Sequence, residues 1–255
     1  MKVTDPLRVL VVTGAPTPQH HPKLAPTSFY TLFEGYNNIA WDHAISDEAA
    51  FASDLREKYD VLVLLIWRET LSLVARKNLQ SFIESGKGIV VLHSTLASYN
   101  GWKWWWRDVV GGKYQYVTED TNDMPAADYR LGERIVANAA AEHPITAAVG
   151  SFELCDETYK GLWISPQAQV LYRTDNPTSD GPIVWISPYA RSRVVVIQPG
   201  HGHAAHRDAG YRALVYHSIV WVSAHRSLIF KSVSQICSPY MCGFSDHQPP
   251  YMGKS

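Results

Sequence analysis

The sequence predicts an α/β protein built on a doubly wound, mostly parallel β-sheet with an antiparallel extension in its second half. Three observations support this class. Short uninterrupted runs of apolar β-formers, typical of strands buried on both faces, recur between residues 7 and 92. Amphipathic segments separate these runs, and the connections are short. Beyond residue 112, strand-like segments instead follow one another across turns that contain Pro, Gly or Asn, which is typical of hairpins.

The first half of the chain alternates predicted strands with predicted helices. Runs such as LRVLVV and VLVLLI lack the polar alternation of a strand with one solvated face, so they predict central strands. Apolar residues recur at helical spacing from Leu71 to Ile83, and Gly86 then supplies a left-handed stop. The predicted strands are residues 7–12, 39–43, 61–66 and 89–92, and the predicted helices are residues 27–36, 47–57 and 71–83.

The second half contains further predicted strands and one closing amphipathic helix. No repeat or linker divides residues 1–224, which are therefore expected to form one domain. Periodicity fails from His225, so residues 225–255 are predicted to be an extension that is loosely packed or disordered. The strands are predicted at residues 113–117, 129–136, 170–173, 183–186 and 193–197, and the helix at residues 211–222.

Charge and composition exclude several classes of partner. The chain has 23 Lys+Arg against 24 Asp+Glu and no basic stripe, so neither nucleic acid nor an anionic membrane surface is expected to bind. The longest apolar runs are too short to span a bilayer, and the N-terminus lacks the pattern of a signal peptide. The 3 cysteines, an odd number, argue against a disulfide framework. The expected location is cytoplasmic.

Histidines follow several of the predicted strands. His93 directly follows the fourth strand, His201 and His203 follow the last one, and His20 and His21 lie in the loop after the first. Because the carboxyl ends of parallel strands meet at one edge of a sheet, these imidazoles are candidates for a shared catalytic metal site. The expected ion is divalent, Zn or Mn. The simpler alternative is that each histidine bonds a nearby backbone carbonyl.

Three other side chains are candidates for catalysis. Asp156 and Glu157 are adjacent carboxylates, and either one would make a general base near a metal-bound water or a sugar hydroxyl. The alternative is a solvated turn or a charge at a helix N-terminus. Ser94 stands at the end of a strand, but the chain lacks a G-x-S-x-G elbow, so hydrogen bonding is favoured over nucleophilic attack. Cys155 is interpreted as a buried small hydrophobe, and no nucleotide cofactor is expected.

Aromatic residues cluster after the fourth predicted strand. Trp102 opens a group of four tryptophans whose flat faces suit the apolar face of a pyranose ring, although some of them must serve packing. Arg107 in this group, and Glu69 after the third strand, are candidates for binding sugar hydroxyls. Trp67 and Tyr159 complete the candidate substrate contacts. The expected partner is therefore a small-molecule sugar.

The segments IVVLHS, EHPIT, F…DETY and PIVWISPYARSRVVVIQPGHGH precede a terminal helix that ends in VWVS. As a set, over most of residues 7–224, they resemble the ThuA-like (trehalose utilisation) family. The resemblance implies a class I glutamine amidotransferase-like, flavodoxin-like fold. It also implies a role in carbohydrate metabolism, with trehalose, related disaccharides or their 3-keto derivatives as the usual association.

By motif, the resemblance places the family's histidines on His93, on His201 and on either His20 or His21. The nucleophile cysteine of the amidotransferases is absent. Two places after His201, where those enzymes have an acidic residue, this chain has His203. Glutamine hydrolysis is therefore not expected.

Two hypotheses follow. In the first, the chain is a metal-dependent enzyme that isomerises, eliminates or hydrolyses a disaccharide or keto-sugar. In the second, it is a non-catalytic carbohydrate-binding or oligomerising domain that keeps the fold without the nucleophile. Four polar clusters at one sheet edge exceed what packing needs, which favours the enzyme. Either hypothesis allows a homo-oligomer.

Overall fold

The computed structural model describes residues 5–14, 32–67, 70–116 and 124–223. Its strands are β1 (Leu7–Thr13), β2 (Ile39–Ala44), β3 (Val61–Leu65), β4 (Gly88–Leu92), β5 (Gly112–Lys113), β6 (Asp128–Ala139), β7 (Phe152–Lys160), β8 (Trp163–Ile164), β9 (Gln169–Arg173), β10 (Pro182–Ile186) and β11 (Val194–Ile197). Its α-helices are α1 (Asp47–Ala50), α2 (Leu73–Glu84), α3 (Pro144–Val149), α4 (His203–Arg207) and α5 (Ala209–Val222), with a 3₁₀ segment at His93–Ala97 and a π-helix at Trp104–Val110.

The described strands form a mixed sheet in the order β2-β1-β3-β4-β11-β10-β9-β6-β7. The first five strands are parallel and the remaining four form the antiparallel extension, so the predicted fold class is confirmed. Leu92, the last residue of β4, pairs with Ile197, the last residue of β11. Because these strands are parallel neighbours, the segments that begin at His93 and Gln198 leave the sheet side by side at one edge.

The sheet separates two apolar layers, as a doubly wound fold requires. On β4, Val90 and Leu92 face the layer that contains α5, whereas Ile89 and Val91 face the layer that contains α2. Each such buried side chain stabilises the fold by about 1.5–3 kcal/mol. The strand is therefore fixed from both sides, and His93 emerges from a rigid support.

The antiparallel extension brings β7 to the far edge of the sheet. β7 pairs along most of its length with β6, and Glu133 on β6 is the register partner of Asp156 on β7. β6 in turn pairs with β9 through Asn138 and Ala139. The close approach of β7 to α5 is visible at Gly210, where an added Cβ would overlap the ring of Phe152.

Several predicted elements differ from the observed ones. The helix predicted at residues 47–57 is a single turn, because the Asp54 carboxylate accepts the backbone N–H of Arg56 at 2.9 Å and favours a turn there. The strand predicted at residues 113–117 is limited to Gly112–Lys113 in the described part of the chain. The helix predicted at residues 27–36 falls mostly outside the described residues.

The largest omission is β7. Its sequence, FELCDETYK, contains Asp, Glu and Lys, which are depleted in strands, so local propensity gave no strand signal. The solvated turn or helix terminus weighed for Asp156 and Glu157 is wrong, because both residues lie within this strand and are buried. Cys155 is partly exposed and disulfide-bonded, so its interpretation as a buried small hydrophobe is also wrong.

Among the described residues, no helix combines the length and apolar character that a bilayer crossing needs. The extension at residues 225–255 lies outside the described residues, so its predicted loose packing stays a prediction.

Candidate functional site

The candidate site begins at His93, where β4 ends. The backbone turns from the extended conformation at Leu92 to φ 42° at His93, a left-handed conformation that non-glycine residues adopt rarely and that is common at functional sites. The His93 Nδ1 lies 2.8 Å from the carbonyl oxygen of Gln198. A carbonyl only accepts hydrogen bonds, so Nδ1 carries a proton and Nε2 faces the interior of the site.

Two further side chains meet Nε2 of His93. The Glu157 Oε2 lies 3.0 Å from His93 Nε2 and 2.6 Å from His201 Nδ1. The two imidazole nitrogens are 3.2 Å apart. We call His93, Glu157 and His201 the triad. It joins the ends of β4 and β11, which the parallel register places side by side, to the middle of β7.

Within the described part of the chain, His201 is the most exposed member of the triad. The side chains of His93 and Glu157 are 2% and 6% exposed, whereas that of His201 is 23% exposed. A small molecule would therefore reach the triad past His201.

The charges of the triad stabilise one another. Burial by itself raises the pKa of Glu157, but hydrogen bonds from His201 and His93 outweigh burial and lower that pKa to about 2. Burial lowers the pKa of His93, yet the hydrogen bond and charge of Glu157 reverse the effect, so the net shift is upward. Glu157 is thus ionised at neutral pH and presents a negative charge to both imidazoles.

Asp156 projects from the face of β7 opposite to Glu157, because the side chains of consecutive strand residues point in opposite directions. Its carboxylate accepts the backbone N–H of Gly200 and, at 3.1–3.2 Å, that of His201. Burial raises the pKa of Asp156, and these hydrogen bonds together with the nearby imidazoles oppose that rise.

Tyr159 lies two residues beyond Glu157 and hence on the same face of β7. Its hydroxyl is 3.0 Å from His93 Nε2, and its ring stacks on the His93 ring with centroids 5.0 Å apart. Burial raises the pKa of Tyr159 well above its usual value. The hydroxyl therefore keeps its proton at neutral pH.

The triad has the donor set of a divalent-metal site. One ligand atom from each residue lies within 4.8 Å of the other two. For ligand bonds of about 2.0–2.2 Å, tetrahedral geometry places the ligand atoms roughly 3.3–3.5 Å apart. The observed separations of 2.6–3.2 Å are shorter than this, so the side chains would have to move apart, by up to about 0.9 Å between Glu157 and His201, to admit an ion. The carbonyl of Gln198 on the far nitrogen of His93 supplies the usual outer partner of a ligating histidine.

Trp102, a predicted substrate contact, is surrounded by other aromatic rings. Trp102 packs against Tyr99, Trp104 and Trp105, and the guanidinium of Arg76 lies 5.6 Å from its ring centroid. These contacts make Trp102 part of an aromatic cluster, and its role toward a sugar stays a prediction.

The remaining predicted residues occupy varied positions. Trp67 is half-buried and donates from Nε1 to the Tyr116 hydroxyl at 2.7 Å. Ser94 is buried in the 3₁₀ segment, Arg107 is exposed, and His203 opens α4. His20, His21 and Glu69 lie outside the described residues, so their predicted roles stay predictions.

Sequence reasoning missed the partnership of Glu157 with the two histidines. It treated Glu157 as a general base and gave the metal only histidine ligands. The available signal was the DETY segment, which belongs to the family-like pattern, but the strand pairing that brings it to His93 is not visible in local propensity. The backbone supports at Gln198 and Gly200 were also missed, because hydrogen bonds to backbone groups leave no residue-type signature.

The fold and the site together define a class. The mixed sheet, with the candidate side chains His93 and His201 beyond the carboxyl ends of β4 and β11, has the class I glutamine amidotransferase-like fold. The ThuA family model, described as trehalose utilisation, matches residues 8–222, and the chain belongs to this family.

Solved structures of similar fold include two ThuA-like proteins. One, from Parabacteroides merdae, has TM-score 0.75 and 16% identity over 91% of this chain and 93% of that chain. Another, from Bacteroides uniformis, has TM-score 0.67 and 19% identity over 87% and 94% of the two chains. A β-galactosidase from Bacillus circulans sp. alkalophilus matches with TM-score 0.57 and 14% identity over 84% of this chain but 31% of the enzyme. Comparison with curated proteins finds no match.

Proposed function

We propose that this chain is a metal-dependent enzyme of carbohydrate metabolism that acts on a disaccharide or keto-sugar at the triad. The observation that carries the proposal is the convergence of His93, Glu157 and His201, whose ligand atoms lie 2.6–3.2 Å apart in a largely buried site that is partly exposed at His201. Two imidazoles and one carboxylate leave further coordination positions for water or substrate, as catalytic metal sites do.

Membership of the ThuA family supports a sugar as the substrate. The β-galactosidase with a domain of this fold is itself a carbohydrate enzyme, which agrees with that substrate class without defining a reaction. Isomerisation, elimination and hydrolysis are all compatible with the proposed chemistry.

The residues of the chain would divide the work as follows. His93, Glu157 and His201 would hold the ion, which polarises a carbonyl or activates water when bound. Glu157 as a ligand is unavailable as a general base. Tyr159 keeps its proton at neutral pH and can donate it to an oxygen of the substrate.

Metal binding is tested first on the purified full chain. The metal content is measured by mass spectrometry, and after chelation Zn²⁺ and Mn²⁺ are titrated calorimetrically into wild type, His93→Ala, Glu157→Gln and His201→Ala. We expect one ion per chain in the wild type and loss of binding in the three variants. Glu153→Gln is the matched control, since it removes a carboxylate from an exposed position of the same strand.

Turnover is then tested with trehalose, other disaccharides and their 3-keto derivatives, with product analysis by mass spectrometry. Loss of turnover on chelation and its return with the metal would support the proposal. The proposal would be contradicted if the chain binds no metal and chelators leave its turnover unchanged. Sugar binding without turnover that persists in His93→Ala and His201→Ala would instead favour the non-catalytic binding domain.

A further inference from the structure

The backbone that carries His201 is held from two sides by buried side chains. The Asp156 carboxylate accepts the N–H groups of Gly200 and His201. On the other side, His206 Nε2 donates to the carbonyl oxygen of Gly200 at 3.0 Å. Asp156 is 7% exposed and His206 is 0% exposed, so water does not compete for either contact.

Gly200 occupies a position that a residue with a side chain would not fit. Its φ of +129° lies in the region that favours glycine, and an added Cβ would overlap the hydroxyl of Tyr211. Tyr211 is fully buried beneath it on α5. The Gly200–His201 backbone is thus held by Asp156 at its two N–H groups, by His206 at the Gly200 carbonyl and by the close packing of Gly200 on Tyr211.

This arrangement separates the roles of two adjacent carboxylates. Glu157 contacts the imidazoles of His93 and His201 directly. The carboxylate oxygens of Asp156 instead accept the backbone N–H groups of Gly200 and His201.

We propose that Asp156 and His206 are positioning residues, which clamp the Gly200–His201 backbone so that His201 Nδ1 is aimed at Glu157 and at a bound ion. The inference rests on the proposed function in so far as the ion is concerned. The clamp itself is a property of the metal-free chain. The buried charge of Asp156 and its position in β7 would matter equally in a merely structural role, so the test uses a readout specific to His201.

The variants are Asp156→Asn, which keeps the shape but turns an N–H donor toward backbone N–H groups, and His206→Leu, which removes the donor to Gly200. His206→Gln keeps a donor at that position and is the rescue variant. Glu153→Gln removes an exposed carboxylate from the same strand and is the control. Circular dichroism and thermal unfolding establish that each variant is folded.

Two measurements are made on each folded variant. On metal-free, isotope-labelled protein, NMR follows the amide exchange of Gly200 and His201 and the imidazole nitrogens of His201. Calorimetric titration with Zn²⁺ alone gives its affinity. We expect Asp156→Asn and His206→Leu to speed the two amide exchanges at least tenfold, shift the His201 imidazole signals and weaken Zn²⁺ binding about 10–100-fold, as loss of outer-shell support does. His206→Gln should restore most of the affinity.

The outcomes are separable. Unchanged exchange, imidazole signals and affinity in Asp156→Asn would overturn the clamp and leave the metal proposal standing. If wild type binds neither Zn²⁺ nor Mn²⁺, the proposed function fails, and the NMR measurements alone test the clamp. Altered His201 imidazole signals in Asp156→Asn and His206→Leu, with unchanged signals in the Glu153→Gln control, would then support it. Unaltered His201 signals in that case overturn it as well.

Discussion

At the scale of single residues, Tyr159 carries a protic group beside the triad and is not one of the proposed ligands. Its hydroxyl is 3.0 Å from His93 Nε2 and retains its proton at neutral pH. Tyr159→Phe removes that proton while keeping the ring that stacks on His93. We expect the variant to bind metal but to lower turnover by about 10²-fold or more. The measurement is kcat on the sugar found in the substrate screen, and an unchanged kcat would exclude proton donation.

His206 gives a second prediction at this scale, which concerns how the free energy of unfolding depends on pH. Burial lowers the pKa of His206 from its ordinary value of 6.5 to about 4 in the folded chain. As the pH falls below 6.5, His206 becomes protonated in the unfolded chain but stays neutral in the folded chain. The free energy of unfolding therefore falls by up to about 1.4 kcal/mol per pH unit. The loss levels off below the folded pKa, at roughly 3 kcal/mol from this group.

Urea unfolding of wild type and His206→Gln between pH 7.5 and about 4 measures this contribution. Because Gln does not titrate, its free energy of unfolding should decline less steeply with falling pH. The difference between the two curves isolates His206 from the other titrating groups. Parallel curves would show that His206 titrates alike in both states.

At the scale of elements, β4 and α5 approach each other closely at Gly88. A Cβ added to Gly88, the first residue of β4, would overlap the backbone carbonyl of Val222 at the end of α5. Backbone cannot swing aside as a side chain does, so we expect Gly88→Ala to lower the free energy of unfolding by about 1–3 kcal/mol. Gly101→Ala is the control, because nothing lies within 4 Å of its added Cβ. Equal stabilities of the two variants would contradict the close packing.

Most of the elements could be predicted because their cause is local. β1, β3, β4 and β11 are runs of apolar β-formers, and α2 has an apolar stripe that ends at Gly86, so periodicity alone identifies them. β7 could not be predicted that way. Its polar residues are buried by pairing with β6 and by hydrogen bonds to histidines far along the chain, which are tertiary causes.

The site shows the same division. The positions of His93 and His201 followed from strand order, since parallel strands end at one edge. The third member, Glu157, lies on β7, an antiparallel strand at the edge of the sheet. The edge rule for parallel strands says nothing about where such a strand ends, and this is why the ligand set could be predicted only in part.

At the scale of the whole molecule, the triad draws on three distant parts of the chain. His93, Glu157 and His201 are separated by 64 and 44 residues, and only the paired sheet brings them within hydrogen-bonding distance. An unfolded chain does not present these three ligands together. A metal held by the triad must therefore stabilise the folded state over the unfolded one.

Thermal unfolding of the full chain tests this consequence without any substrate. With free Zn²⁺ at about 100 times its Kd, the free energy of unfolding should rise by about 2.7 kcal/mol, and chelation should reverse the gain. Glu157→Gln replaces a negative ligand with a neutral amide, so its unfolding temperature should hardly respond to Zn²⁺. Glu153→Gln should respond like wild type. A shift that survives in Glu157→Gln would place the ion elsewhere on the chain, because the triad would then lack its carboxylate ligand.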